Sequence, residues 1–211
     1  MRAMVIGFPK SGTTTIHRAC RKSNLHSAHW KTPAGFCGKL IYESYSAGGD
    51  PFEKLAEYDV IAQADVCKPP KINYWPQLDF DLLATVRRYH PQCVFILNRR
   101  NPQKIVESMG RHGTMRNRIV NAEIAGLAKG VGAEDEELRA WIERHYANCG
   151  ERFSSDRYYL EVDIASPDAG ERLSAILGVD LRWWGIVNDT STREAKRKAS
   201  IVEATLDNST G

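Results

Sequence analysis

Short apolar runs alternate with longer stretches of helical periodicity along most of this chain, and no other feature restricts its fold as strongly. The apolar runs predict strands at residues 3–8, 25–30, 59–64, 93–97 and 158–162. Strands separated by helices run in parallel, because each helix returns the chain to the same end of the sheet. The predicted fold class is therefore α/β, a three-layer domain whose central, mostly parallel sheet of about five strands is flanked by helices.

Helical patterns fill the segments between these runs. They lie at residues 13–22, 39–47, 79–89 and 167–177, with a further helix from Asn101-Pro102 and mostly helical structure over 114–155. Pro69 and Pro70 exclude regular structure just after the third strand. We expect one domain over residues 1–190, followed by a polar, basic tail over residues 191–211.

Composition excludes several classes of protein. With 42% hydrophobic and 26% charged residues, the 211-residue chain has the composition of a globular protein with a core. The net charge of +3 is too small to indicate a nucleic-acid partner. No apolar run approaches the roughly 20 residues of a membrane-spanning helix, and the apolar N-terminal run is too short for a secretory signal. Five cysteines, far apart and without a CxxC pair, predict free thiols and a cytoplasmic location.

The segment from Gly7 to Thr14, Gly-Phe-Pro-Lys-Ser-Gly-Thr-Thr, lies between the first predicted strand and helix. Its glycines allow backbone N–H groups to point into a concavity, and the helix N-terminus adds partial positive charge. Such a loop binds a phosphate-like anion, although a tight strand-to-helix turn alone would also use glycines. The segment predicts a fold like that of the P-loop nucleotide-binding proteins.

The position of the lysine departs from the usual nucleoside-triphosphate loop, GxxxxGK[ST]. Gly7 and Gly12 have the expected spacing, but Thr13 occupies the lysine position, and Lys10 lies inside the loop. A lysine after the second glycine reaches the outer phosphates of ATP and acts together with magnesium. Lys10 suits instead a donor with one transferable group and no required metal.

Pro9 to Thr14, PKSGTT, resembles the 5′-phosphosulfate loop of the sulfotransferases that use 3′-phosphoadenosine 5′-phosphosulfate (PAPS). Arg100 before Asn101-Pro102, with Ser108 eight residues later, resembles the pair that holds the donor's 3′-phosphate in that family. The segment 75–79, Trp-Pro-Gln-Leu-Asp, resembles the small single-domain members. The resemblance covers about residues 1–112, and 184–188 also looks like a late loop of the family.

The resemblance implies a transferase that moves a sulfuryl group from PAPS to an acceptor hydroxyl or amine by in-line displacement, without a metal. It implies that the donor is held by Pro9, Lys10, Ser11, Gly12, Thr13, Thr14, Arg100 and Ser108. Lys10 would stabilise the leaving oxygen, because a preorganised cation there offsets the charge that develops. Ser11 would hold Lys10 back until the acceptor binds.

The general base has two candidates, Asp65 and His29. Many cytosolic members of the family use a histidine at the end of the third strand, where this chain has Asp65. An ordinary aspartate has a pKa near 4, so burial would have to raise it. His29, at the end of the second strand, is the competing base. An aspartate after an apolar run also resembles a magnesium-binding residue of kinases.

Two other functions remain open at this stage: a small P-loop kinase that uses ATP and magnesium, and a non-catalytic nucleotide-binding relative. The acceptor is expected to be a small molecule or carbohydrate, recognised by the segments 31–57 and 112–150, which carry no motif. Trp30, Trp75, Trp183 and Trp184 include one or two candidates for stacking on adenine or lining the acceptor site. The basic residues of 193–198 are interpreted as a solvated helix face.

Overall fold

A computed structural model describes residues 1–185 and residue 187, and strands alternate with helices throughout this part of the chain. The strands are β1 (Ala3–Val5), β2 (Ser27–His29), β3 (Lys31–Thr32), β4 (Gly35–Phe36), β5 (Val60–Gln63), β6 (Val66–Lys68), β7 (Ile72–Tyr74), β8 (Val94–Arg99) and β9 (Tyr159–Asp163). The helices are α1 (Thr13–Lys22), α2 (Cys37–Ser46), α3 (Phe80–Tyr89), α4 (Pro102–Gly110), α5 (Met115–Val120), α6 (Asp135–Phe153) and α7 (Ala169–Leu177).

Five of these strands form one parallel sheet, in the order β2-β5-β1-β8-β9. The prediction of an α/β fold with a central parallel sheet is thus confirmed. The chain runs from β1 to the edge strand β2 on one side, and later crosses over to β8 on the other. The carboxyl ends of β1 and β8 therefore flank a topological switch point, where open α/β sheets form ligand-binding crevices.

Helices cover both faces of the sheet, which makes three layers. Along β1, Met4 faces the core shared with α2, α3, α4 and α6, whereas Ala3 and Val5 face the core shared with α1 and α7. Both faces of each inner strand are buried, so apolar residues succeed one another without polar alternation. This burial explains why the strands are visible as apolar runs in the sequence.

The helices α1, α3 and α4 begin at residues that favour a helix N-terminus. Helix α1 begins at Thr13, directly after Gly12, whose φ of 85° lies in the left-handed region. Asp79 caps α3 by accepting a hydrogen bond from the Leu82 N–H, and Asn101 caps α4, with Pro102 in its first turn. The predicted helix over residues 13–22 is confirmed at both ends.

Two hairpins and one irregular segment differ from the prediction. Strands β3 and β4 pair antiparallel, as do β6 and β7, and Pro69-Pro70 occupies the turn of the second hairpin, so prolines end β6 rather than exclude it. The mostly helical structure predicted over 114–155 is interrupted between α5 and α6. Gly126, Gly130 and Gly132 adopt positive φ there, which no α-helix accommodates.

The predicted tail over 191–211, including the basic residues of 193–198, lies outside the described residues, as does most of 186–190. All five cysteines lie in the described part, where they are buried and unpaired. Among the described residues, no helix combines the length and the apolar character needed to cross a membrane.

Candidate anion-binding site at the carboxyl edge of the sheet

Asn98, near the carboxyl end of β8, stabilises the loop between β1 and α1 through hydrogen bonds to Ser11. The side chain of Asn98 is fully buried, and its Nδ2 donates to the Ser11 carbonyl at 2.7 Å and to Ser11 Oγ at 2.6 Å. A Cβ on Gly7 would lie 2.1 Å from Asn98 Oδ1. The loop therefore needs glycine at position 7 because Asn98 occupies the space of a side chain.

Several backbone N–H groups of the loop take no part in the hydrogen bonds that close the first turn of α1. The first turn of α1 closes through the N–H groups of Thr15 and Ile16, which both donate to the Gly12 carbonyl. The N–H groups of Ser11, Gly12, Thr13 and Thr14 have no backbone acceptor within the described residues. N–H groups of this kind beside a helix N-terminus are suitable donors to a phosphate-like anion, which makes the loop a candidate anion-binding site.

Lys10 is half-buried within this loop. Its backbone has a φ of 72°, an uncommon conformation for a residue with a side chain, and its Nζ is 3.2 Å from His112 Nδ1. Ser11 Oγ points the other way and donates to the Phe8 carbonyl. The Ser11 hydroxyl thus forms hydrogen bonds with Phe8 and Asn98, and the role in restraining Lys10 that the family resemblance implies stays a prediction.

Arg100 joins β8 to the loop. Its Nη1 donates to the Lys10 carbonyl at 2.7 Å, and its backbone N–H donates to the Tyr146 hydroxyl at 3.3 Å. A guanidinium carries five N–H donors, so Arg100 retains others for a ligand. Ser108 is half-buried in the second turn of α4, and its hydroxyl has no partner among the residues the structure describes.

Asp65 lies two residues beyond the end of β5 and is buried, with 5% of its surface exposed. Burial raises the pKa of its carboxyl from 3.8 to about 7. A hydrogen bond from Gln63 Nε2 to Asp65 Oδ2, 3.3 Å long, partly opposes the rise in pKa by favouring the ionised form. The carboxyl is thus a proton acceptor close to neutral pH.

His29, the last residue of β2, connects to the same group of side chains. Its Nε2 lies 3.3 Å from Thr13 Oγ1, and that hydroxyl donates to Gln63 Oε1 at 3.0 Å. Because the Thr13 proton points to Gln63, His29 Nε2 is the donor to Thr13. Burial, together with the neighbouring His17, lowers the pKa of His29 to about 4, so its imidazole is neutral at pH 7 and a weak base.

The structure brings most of the predicted site residues to one edge of the sheet. Following the strand order, they are His29 after β2, Asp65 after β5, the loop after β1, and Arg100 after β8. His29 and Asp65 belong to one hydrogen-bonded chain through Thr13 and Gln63, and Arg100 contacts the loop at Lys10. No group of three or more potential metal-ligating side chains occurs among the described residues.

The four candidate tryptophans differ in their surroundings. Trp75 is buried edge-to-face against Trp141, and Trp184 packs on Gly170. Trp183 lies under the ammonium of Lys22, 4.8 Å from the centre of its ring. Trp30 is half-buried beside Phe36, directly after His29, so it is the one of the four that adjoins the site in sequence and space.

Several residues of the site were not anticipated from the sequence. Asn98 and Gln63 each carry a polar side chain at the carboxyl end of an otherwise apolar strand, a signal that could have identified them. Helix α6 contributes His145, whose Nε2 donates to the Ile6 carbonyl at 2.7 Å, and Trp141, whose ring packs edge-to-face on Phe8. No pattern in the sequence of α6 indicates this contact with the loop.

No protein-family model matches the chain, and a search of curated proteins found no significant match. The observations that bear on function are therefore the loop and its N–H groups, the contacts of Arg100 with that loop, and the buried carboxyl of Asp65.

Proposed function

We propose that this protein is a PAPS-dependent sulfotransferase, which moves a sulfuryl group from PAPS to an acceptor hydroxyl or amine. The observation that carries the proposal is the loop from Gly7 to Thr14, which contains a lysine and four N–H groups without backbone acceptors in the part of the chain that the structure describes. An anion site of this kind suits the 5′-phosphosulfate of the donor. The five buried, unpaired thiols fit a cytoplasmic enzyme.

Donor binding is assigned to two groups of residues on either side of the switch point. The N–H groups of Ser11, Gly12, Thr13 and Thr14 hold the 5′-phosphate. The guanidinium of Arg100, through the N–H groups that Lys10 does not occupy, holds the 3′-phosphate with the hydroxyl of Ser108. An arginine is suited to this task because its planar donors match two phosphate oxygens.

In the transfer step the acceptor oxygen or nitrogen attacks sulfur, and the bond from sulfur to the bridging phosphate oxygen breaks. The acceptor proton passes to Asp65, and adenosine 3′,5′-bisphosphate leaves with the electron pair of the broken bond. Asp65 is favoured over His29 as the base because a base with a pKa near the working pH is the most effective. Gln63 occupies Oδ2 of Asp65 and leaves Oδ1 to accept the proton.

Lys10 is assigned to the leaving oxygen. Its flexible side chain is half-buried and begins within the loop, so the ammonium can reach the bridging oxygen from its position beside His112. A cation there stabilises the charge that develops as the bond breaks. This assignment requires no metal ion.

The first test is calorimetric binding of adenosine 3′,5′-bisphosphate and of ATP, each with and without magnesium. The proposal expects a preference for the bisphosphate that does not depend on magnesium. A preference for ATP with magnesium would contradict it and would make the protein a kinase with Asp65 near the metal. Tight bisphosphate binding without transfer to any acceptor would instead indicate a non-catalytic relative.

The second test is the variant Lys10→Ala, with transfer followed by release of the bisphosphate. Turnover should fall by about 10² or more, since one preorganised donor to a developing charge is typically worth that much. The matched control is Lys104→Ala, which removes an exposed lysine from α4. Equal turnover in the two variants would exclude the role of Lys10.

A further inference from the structure

A cavity of about 720 Å³ lies along β2, the edge strand of the sheet, on the side away from Arg100. Its wall includes residues before the strand, the strand itself and the start of β3, so it reaches the carboxyl edge of the sheet. This volume is within the range of ligand sites for molecules of a few hundred daltons.

The residues that line this cavity include five with basic side chains, which are His17, Arg21, His26, His29 and Lys31. No aspartate or glutamate is among the described residues that line it. Neither Arg21 nor Lys31 forms an ion pair with a described residue. Two acids, Glu57 and Asp59, flank the lining residue Tyr58, and Asp59 accepts a hydrogen bond from the backbone N–H of His26 at 2.8 Å. The excess of positive charge thus belongs to the residues that line the cavity, and the two acids lie next to that lining.

Two imidazoles form the inner wall. The rings of His17 and His29 lie 5.2 Å apart, and His17 Nδ1 is 3.0 Å from Ser27 Oγ. Burial is the main cause that lowers the pKa of both histidines, and Arg21 contributes to the lowering at His17. The fixed charge in the cavity thus comes from Arg21 and Lys31. The imidazoles supply polar ring nitrogens to the wall.

The cavity is connected to the nucleotide loop through His29, because His29 Nε2 contacts Thr13 Oγ1 at 3.3 Å. Thr13 is also linked through Gln63 to Asp65, the proposed base. A ligand in the cavity can therefore contact His29, which is linked to the loop directly and to Asp65 through Thr13 and Gln63. It lies across the sheet from Arg100, so the donor and this ligand can be bound together.

We propose that this cavity binds an anionic group of the acceptor, a carboxylate, sulfate or phosphate on the same molecule as the reacting hydroxyl. The inference rests on the proposed function, which supplies the reaction, and it names the class of acceptor. Arg21 and Lys31 pair with the anion, while His17 and His29 line the passage toward the loop. Both cations are exposed, so an anionic acceptor gains a charge-assisted contact there that a neutral acceptor lacks.

The test uses two matched pairs of probes that differ only in charge. Methyl β-glucuronide is compared with methyl β-glucoside, and 4-hydroxyphenylacetate with its amide. Binding is followed by nuclear magnetic resonance at the imidazoles of His17 and His29, with and without saturating adenosine 3′,5′-bisphosphate. The anionic member of at least one pair should bind about tenfold more tightly, as expected for a charge-assisted contact. The pair that responds distinguishes a sugar from an aromatic acceptor.

The variants Arg21→Gln and Lys31→Gln each remove one cation from the wall. Either change should reduce the preference for the anionic probe about five- to tenfold. Lys22→Gln is the matched control, since Lys22 is the next cation on α1 but packs on Trp183 outside the cavity. Two cavity variants are used so that a folding defect in one does not decide the result.

The outcomes separate this inference from the proposed function. Equal binding of charged and neutral probes to the natural protein, or a preference that both glutamine variants retain, overturns the cavity assignment. Bisphosphate affinity that stays within twofold in Arg21→Gln shows that the donor site is separate and intact. If the natural protein does not bind the bisphosphate but does prefer the anionic probes, the proposed sulfotransferase function is refuted. The cavity then remains an anion-binding site.

Discussion

At the scale of single residues, Asn98 determines the conformation of the loop more directly than any residue inside the loop. Its Nδ2 donates hydrogen bonds to Ser11, and its Oδ1 fills the space next to Gly7. The glycine is thus required by a close approach to a side chain of another strand. In the sequence the two residues are separated by most of the first half of the chain, so this requirement is not visible there.

Gly7→Ala should weaken binding of adenosine 3′,5′-bisphosphate by about tenfold or more, because the new methyl group would displace Asn98 and with it Ser11. Calorimetry on the single variant and on Gly7→Ala/Asn98→Ala tests the cause. The double variant should recover part of the affinity, since the clash at Oδ1 is removed. A double variant that is weaker than the product of the two single changes would contradict this account.

Arg100→Ala should weaken binding of the bisphosphate by roughly 1.5–3 kcal/mol, the range for hydrogen bonds to charged groups. The adjacent Arg99 is the control, because it is exposed and pairs with Glu161 on the neighbouring strand. Arg99→Ala should leave the affinity unchanged. Equal losses in the two variants would mean that overall charge, and not the position of Arg100, determines binding.

Asp65 makes turnover depend on pH. Burial raises the pKa of its carboxyl to about 7, so the ionised form, which accepts the proton, accumulates above pH 7. Turnover should therefore rise through an inflection near pH 7, and Asp65→Asn should abolish most of it. An inflection near pH 4 would point to His29, whose pKa is lowered to about 4.

The same carboxyl makes stability depend on pH. Its pKa is higher in the folded protein than the unfolded value near 4, so the folded state retains the proton longer. The free energy of unfolding should therefore fall by up to about 4 kcal/mol as pH rises from 4 through 7. Urea titrations of Asp65→Asn should lack this fall. A natural protein that is equally stable at pH 5 and pH 8 would contradict the assignment.

At the scale of elements, helix α6 packs against the start of the loop between β1 and α1. Phe8 packs edge-to-face on the rings of Trp141, His145 and Tyr146, and His145 donates to the Ile6 carbonyl at the start of the loop. Helical structure over this segment was predicted from the sequence, and Glu134 and Glu137 form a capping box at the start of α6. The contact of α6 with the loop was not predicted, because helical periodicity gives the buried face of a helix but not its neighbour.

His145→Ala should lower the free energy of unfolding by about 1–3 kcal/mol, because the Ile6 carbonyl would lose a buried donor. Urea titration measures the change, with Glu151→Ala on the exposed side of α6 as the control. Bisphosphate affinity should also fall in His145→Ala. A stability loss without any change in affinity would restrict the role of α6 to the core.

At the scale of the whole molecule, the features that could be predicted from the sequence are those determined by residues close together in the chain. The unit β1–loop–α1 was predictable because its apolar run, glycines and helix start are contiguous. Strand order, and the chain of hydrogen bonds from His29 to Asp65, depend on pairing between segments that are distant in sequence. The irregular segment between α5 and α6 was missed because its glycines, rather than its apolar spacing, determine its backbone.

The position of β1 in the middle of the sheet has a consequence for motion. Amide hydrogens of Ala3–Val5 are covered by a strand on either side, so they should exchange with solvent only when the whole domain opens. Those of Ser27–His29 lie at an edge and can exchange through local fraying. The donor loop is thus attached to the most persistent strand, while the wall of the basic cavity can adjust to different acceptors without disturbing it.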